Sequence, residues 1–407
     1  MLKYICILLA AIVAEVVAKS MFPMPRLPNS CSQTFVRRDV ISLPPEELQR
    51  FVRVVREMHR RGWMDGFGSM HDHISHQIHG NEQFFAWHRR FLRHFEMLMQ
   101  EIDPGVMLPY WNWGTYWQSP IGDPVLTGAY FGGNGRPGDN CVVEGAQARW
   151  GRNYPTRNCL TRRFRYGATT GAFWPMRAVR DVMNSATTHA QFRSRIENGA
   201  HGIVHLGLGG DFETMYAPVD VLFFMHHAMI DKIWAEWQSR DPLRYRNVDG
   251  YDSQRAPVTA NSLMPFYSEE VGTALATNGP GYCYVYDDVP AAPTAAMFKT
   301  SRRAAFVALK AAVNNAAASE QQVPGAAADA IAAADDESAS PAAAEFHIKH
   351  ASNDTMDFMP PSPMSTEWLR GRHMDVAEAA RMQALVNSVV AQINSERRQQ
   401  RAAAKAA

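Results

Sequence analysis

Ten of the 15 histidines fall in two short segments. "HDHISHQIHGNEQFFAWHRRFLRHFE", residues 71–96, holds His71, His73, His76, His79, His88 and His94. "HGIVH" from residue 201 and "FFMHH" ending at residue 227 hold His201, His205, His226 and His227. Imidazole is the side chain that titrates near neutral pH, and it is a common ligand of transition metals. His201 and His205 are four apart, so on a helix both rings project from one face. An isolated pair of this kind is more often a surface or hydrogen-bonded feature; its recurrence in two segments points to metal. A lone ring on an apolar face is costly to bury, and a metal removes that cost. Donor sets made of imidazole, with no clustered thiolate and few carboxylates nearby, suit copper or zinc better than magnesium or calcium. Each segment can offer three rings to one ion, which suggests two ions.

Helices must position these rings. "LPPEELQRFVRVVREMHRRG" predicts a helix between Leu43 and Gly62, with prolines and glutamates in its first turn and Leu48, Phe51, Val52, Val55 and Met58 on one face. A second helix is predicted over residues 83–102, where His88 shares a stripe with Phe84, Phe91, Phe95, Leu98 and Ile102. Two more are predicted at about 188–206 and 219–239, separated by Gly209 and Gly210. In the last of these, His227 lies with Phe223, Ile230, Trp234 and Trp237, His226 is turned about 100° away, and Asp220 stands at the N-cap. Residues 119–171 are rich in Gly, Asn, Pro and Arg and predict a long irregular excursion. "GYCYVYDD", residues 281–288, is the one convincing late strand. Residues 311–345 are Ala-rich, as in a linker or processing segment, and a final helix is predicted near 375–396.

With 407 residues, 46% of them apolar and 11% aromatic, the chain can build a large core. A formal net charge of +1 gives no reason to expect nucleic acid or an acidic partner. The first 18 residues predict a signal peptide and hence secretion; Glu15 interrupts the apolar run, and no later segment is apolar enough to predict a membrane span. Beyond it Cys31, Cys141, Cys159 and Cys283 remain, an even number that suits two disulfides. Three pairings are open, one of which closes the short loop from Cys141 to Cys159. Asn353 in "NDT" is a candidate glycosylation acceptor.

"FFAWHRRFLRHFE" followed by "LPYWNW", and "HGIVH", "GGDF" and "APVDVLFFMHHAMIDKIWAEWQ", resemble the two copper-binding signatures of the tyrosinase and catechol oxidase family, the type-3 dicopper proteins. The resemblance covers about residues 36–286, where Tyr282 and Tyr284 look like the Tyr-x-Tyr that closes the family's core. It implies a mainly α fold, a four-helix bundle housing a dinuclear copper site, with long loops and little β structure. The expected organisation is a signal peptide at 1–18, a dicopper core at 19–300, an Ala-rich linker at 301–345 and a C-terminal extension at 346–407. By latency in relatives, that extension is expected to cover the site until trimmed.

Carried over by position, the first copper takes His71, His79 and His88, with His73 and His76 as rivals of His71; the second takes His201, His205 and His227. Glu197 resembles a glutamate that orients a water near the second copper, and His226 is expected beside the entrance; both are candidate catalytic residues. Phe223 resembles a phenylalanine packed on the site, and Asp231 with Arg37 or Arg38 a structural ion pair. The implied activity is oxidation of o-diphenols to o-quinones, with two copper ions per chain, O2 as co-substrate and a small phenol as substrate. Gln77 replaces a cysteine that relatives bond to histidine, so no thioether is expected. Gly202 replaces an asparagine that helps polarise the water held by Glu197, which favours catechol oxidase activity with weak or absent monophenol hydroxylation. Asn112 stands where relatives often carry Asp. A full tyrosinase is the alternative, a haemocyanin-like oxygen carrier a further one, and a zinc hydrolase lacks its HExxH. Oligomeric state is not legible in the sequence.

Overall fold

Pro45 opens the first helix, α1 (Pro45–Arg60), which buries Phe51, Val54, Val55 and Met58 and presents Glu46 and Glu47 to the positive end of its dipole. The structure is a computed structural model that describes residues 22–293 and 356–406. The expected signal peptide, the Ala-rich linker and Asn353 lie outside the described residues. Gly62, at φ +74°, turns the chain into α2 (Trp63–His73), and a single turn, α3 (Ser75–Ile78), follows. Next come α4 (Phe84–Ile102), α5 (Met176–Ser185) and α6 (His189–Ile196). The chain then passes through a π turn at Glu197–His201 into α7 (Gly202–Leu208). In α8 (Val221–Ser239) Asp220 caps the start by accepting from the Leu222 N–H. The C-terminal segment adds α9 (Thr366–Arg370) and α10 (Val376–Ala406).

β structure is scant, as expected. A three-residue strand, β1 (Phe35–Arg37), precedes a short hairpin of β2 (Gly151–Arg152) and β3 (Asn158–Cys159), and β1 pairs in parallel with β4 (Tyr284–Tyr286). Cys31 is bonded to Cys283 beside that pair, and Cys141 to Cys159 within the irregular excursion.

Aromatic stacking locks α4 to α8: Phe95 lies on Phe224 at 3.7 Å and Phe85 on Trp234 at 5.1 Å. Phe67 of α2 meets Phe91 and Phe224 edge-on and lies tilted against Phe95, which closes the bundle on a third side, and α7 supplies the fourth. Behind α8, Asp231 is shared by Arg89 at 2.6 Å, Arg37 at 3.5 Å and the Tyr284 and Tyr286 hydroxyls at 2.5 and 2.6 Å. The tyrosine pair that meets this carboxylate is therefore Tyr284 with Tyr286, not Tyr282 with Tyr284. Cys283, at φ +61°, breaks the strand just before Tyr284. Of the two arginines expected to serve Asp231, Arg37 reaches it, while Arg38 pairs with Glu47 at the surface.

The extension packs in the same unit as the core: among the described residues, 358–406 group with 22–292. α10 buries Met382, Val386, Val389 and Val390, and Arg177 pairs with its Glu396. Among the described residues no helix is long and apolar enough to cross a membrane.

Candidate metal centre

The rings of His71, His79 and His88 converge from the end of α2, the loop after α3 and the first turns of α4. His201, His205 and His227 converge from the π turn, α7 and α8, with His226 in the same group; within each group the ligand atoms lie within 4.8 Å of one another. Most of these rings are oriented from behind. Nδ1 lies 2.5 Å from the Met215 carbonyl in His71, 3.0 Å from Ser75 in His79, and 2.7 Å from Phe84 in His88. In His205 it lies 2.7 Å from the Phe212 carbonyl, and in His201 3.3 Å from Glu197. A carbonyl only accepts, so each Nδ1 carries the proton and each Nε2 keeps a free lone pair.

Those lone pairs face one another. Nε2 of His71 stands 3.3 Å from Nε2 of His88, and Nε2 of His205 stands 3.3 Å from Nε2 of His227. Two nitrogens, each about 2.0–2.1 Å from one ion at a tetrahedral angle, stand roughly 3.3 Å apart. Burial holds the rings neutral, taking His71 down to about 4 and His205 to about 3, and pushing His79, His88, His201 and His227 well below the usual range. Neutral imidazole is the form that ligates. Nε2 of His201 and Nδ1 of His227 are buried without a hydrogen-bond partner, the former being where a second-group ion fits. The donor set thus suits one soft or borderline ion in each group. The groups adjoin: His88 stacks on His227 at 4.4 Å, and Phe223 stacks on His227 at 4.1 Å while meeting His71 edge-on at 5.1 Å.

The remaining histidines separate cleanly. His73 and His76 are exposed, and the His73 ring turns back to the Ser69 carbonyl at 2.7 Å. His94 is buried away from the centre, between the Tyr267 hydroxyl at 3.1 Å and the Pro23 carbonyl at 2.8 Å. His226 was expected beside the entrance. It is instead fully buried, stacked on His201 at 5.5 Å with Trp113 and Phe212 nearby, because α8 is buried all round from Val221 to Ala235 and the offset from His227 brings no ring to the surface.

Glu197 ties the two groups together. Its backbone carbonyl orients His201, one side-chain oxygen accepts the Gly80 N–H at 2.8 Å beside His79, and the other accepts from Arg193 at 2.8 Å. Arg193 also grips Glu82, whose second oxygen meets His189 Nδ1 at 2.8 Å. Sequence reasoning found Glu197 but missed Glu82, His189 and Arg193. The only signal was the i, i+4 spacing of Arg193 and Glu197.

The C-terminal segment closes the mouth. Trp368, Arg372 and Met374 join four of the imidazoles around a cavity of about 20 Å3, room for a water and not for a phenol. A Cβ on Gly202 would stand 2.7 Å from Met374 Cε and 2.9 Å from Met364 Sδ. Gly80, at φ +68°, lets the main chain of His373 approach more closely still.

A helical bundle that turns two triplets of neutral imidazoles on each other has the architecture of a type-3 dicopper protein. Residues 55–240 match the common central domain of tyrosinase. The chain is 33% identical over 234 residues to a tyrosinase of Streptomyces antibioticus, covering 51% of this chain and 84% of that protein. It is 29% identical over 291 residues to grixazone synthase of Streptomyces griseus, covering 58% and 94%. Among solved structures, a single-residue mutant of a polyphenol oxidase of Thermothelomyces thermophila shares the fold, with a TM-score of 0.54 at 20% identity over 64% of this chain and 90% of that one. The chain belongs to the tyrosinase family, copper oxidoreductases that act on small phenols with O2.

Proposed function

We propose that this chain is a secreted dicopper oxidase that converts o-diphenols to o-quinones, with weak or absent hydroxylation of monophenols. The observation that carries the reading is the pair of Nε2 couples, each at 3.3 Å and each backed by at least one carbonyl-anchored ring. His71, His79 and His88 hold one copper, and His201, His205 and His227 the other. The copper pair supplies O2 binding and the two-electron oxidation of the catechol. Phe223 fixes the tilt of His227 by stacking on its ring. Glu197 has both oxygens committed, to Gly80 and Arg193, and residue 202 offers no amide to complete a water site. A monophenol therefore finds a poor proton acceptor, whereas a catechol gives up its first proton more readily, because the neighbouring hydroxyl hydrogen-bonds the oxyanion. The segment around Trp368, Arg372 and Met374 keeps the chain latent until it moves or is trimmed.

Copper per chain, and O2 uptake with catechol and separately with tyrosine once the extension has been trimmed by protease, test this. Two coppers, catechol turnover and little or lagging tyrosine turnover are expected. Zinc in place of copper, or reversible O2 binding without turnover, overturns the oxidase. Tyrosine turnover as fast as catechol turnover and without lag makes the chain a full tyrosinase instead.

A further inference from the structure

We propose that Arg165 binds a carboxylate on the phenolic substrate, and that the segment Ser362–Met364 occupies that substrate's place while the extension is docked. The proposal rests on the phenol oxidase reading and names its substrate class: catechols bearing a carboxylate on a short side chain.

The geometry of the docked segment is the argument. Arg165 donates from Nη1 to the Ser362 carbonyl at 3.1 Å and from Nη2 to the Pro363 carbonyl at 2.6 Å. Two donors of one guanidinium thus hold two oxygens side by side, the pattern in which a guanidinium takes a carboxylate. The next residue, Met364, reaches Gly202 beside His201. Three consecutive residues run from the guanidinium to the edge of the second imidazole group, as an acid with an aromatic ring on a short tether would. The main chain beneath the fork is anchored to the metal centre, because the Arg165 N–H donates to the Gly207 carbonyl at 3.0 Å, two residues beyond His205.

The surroundings fit such a ligand. Arg163, Phe164, Arg165, Leu206 and Glu213 line an open cleft, and Glu213 also lines the cavity at the imidazoles, so the two adjoin. Phe164 and Leu206 give the tether an apolar wall. Glu213 is the opposing carboxylate there; Arg163 stands 3.8 Å from it, and Arg372 donates to its main-chain carbonyl. With Arg165 added, the cleft and cavity carry more positive than negative groups. A carboxylate is also a better acceptor for guanidinium than two neutral carbonyls, so the acid competes with the segment that blocks it.

On the full chain, kcat/KM is compared for 3-(3,4-dihydroxyphenyl)propanoate, its neutral amide, dopamine and catechol. The acid should exceed the amide by about tenfold or more, with dopamine the poorest. Arg165→Gln should bring the acid-to-amide ratio near one while raising catechol turnover, since it also loosens the blocking segment; Arg165→Lys should keep part of the ratio. A ratio near one in the parent chain, or one unchanged in R165Q, overturns the proposal. A second readout needs no turnover: 3-phenylpropanoate should speed proteolytic removal of the extension and its amide should not. Equal effects of the two also overturn it. Release by the acid without any catechol oxidation sinks the oxidase reading and leaves the carboxylate site standing.

Discussion

His205 shows how one ring is made into a ligand. The Phe212 carbonyl takes its Nδ1 proton, burial keeps it neutral, and Nε2 is left facing that of His227. His205→Ala should therefore drop copper from two to about one per chain, since three imidazoles leave little redundancy, and catechol turnover should fall to background; metal analysis and O2 uptake check this. His94 tests the opposite role. Its folded value lies near 3, mainly through burial, against about 6.5 unfolded. As pH falls below about 6.5, the unfolded chain takes a proton that the native ring refuses, so stability is lost progressively towards pH 3. Between pH 7 and 5, His94→Gln should lose about 2 kcal/mol less than the parent in urea unfolding; equal losses would mean the ring is not neutral in the fold. His79, His88, His201, His205 and His227 were legible because each lies on a recognisable motif or helical stripe. Arg89 was not: it falls outside the apolar stripe of α4, yet it is buried on Asp231, and a stripe defined by apolar residues cannot register a buried cation.

α2 is where helix prediction failed. "WMDGFGSMHDH" carries two glycines in eleven residues, and glycine argues against a helix interior. Here the glycines serve close packing: a Cβ on Gly68 would stand 2.7 Å from Val219, and one on Gly66 would strike Phe22. Tertiary contact overrides propensity, and with α2 goes the placement of His71, which could be preferred to His73 and His76 only by resemblance. The π turn at Glu197–His201 was equally hidden, since the run from 188 to 206 reads as one helix. α10 was legible as a helix, but its partner was not, because its buried face meets surfaces nearly two hundred residues earlier. Val386 lies at the centre of that face. Val386→Asp should undock α10, since a buried unpaired charge is costly. Each 1.4 kcal/mol lost by the docked state raises the open fraction about tenfold. Catechol turnover should rise accordingly, and an unchanged rate would mean that the segment does not gate the site.

Across the whole molecule, the helical character, the metal-binding character and the existence of the C-terminal helix were readable from pattern; the docking of that helix on the core and the closure of the mouth were not. Closure depends on two glycines that each follow a ligand, Gly80 after His79 and Gly202 after His201, and on a segment that meets both from the far end of the chain. The described N-terminus is drawn in as well, through Pro23 on His94 and Cys31 on Cys283. Cys31→Ser opens a crosslink spanning 252 residues and should cost about 2–4 kcal/mol in chemical unfolding.

A mouth this tight also sets an order of assembly. Only about 20 Å3 remains beside the imidazoles, so metal must arrive before the extension seats or wait for it to lift. Apo-chain mixed with copper should then fill at a rate that levels off as copper is raised, the plateau being the lifting rate itself, and V386D should raise that plateau. A rate that climbs in proportion to copper throughout would mean the ions have another way in.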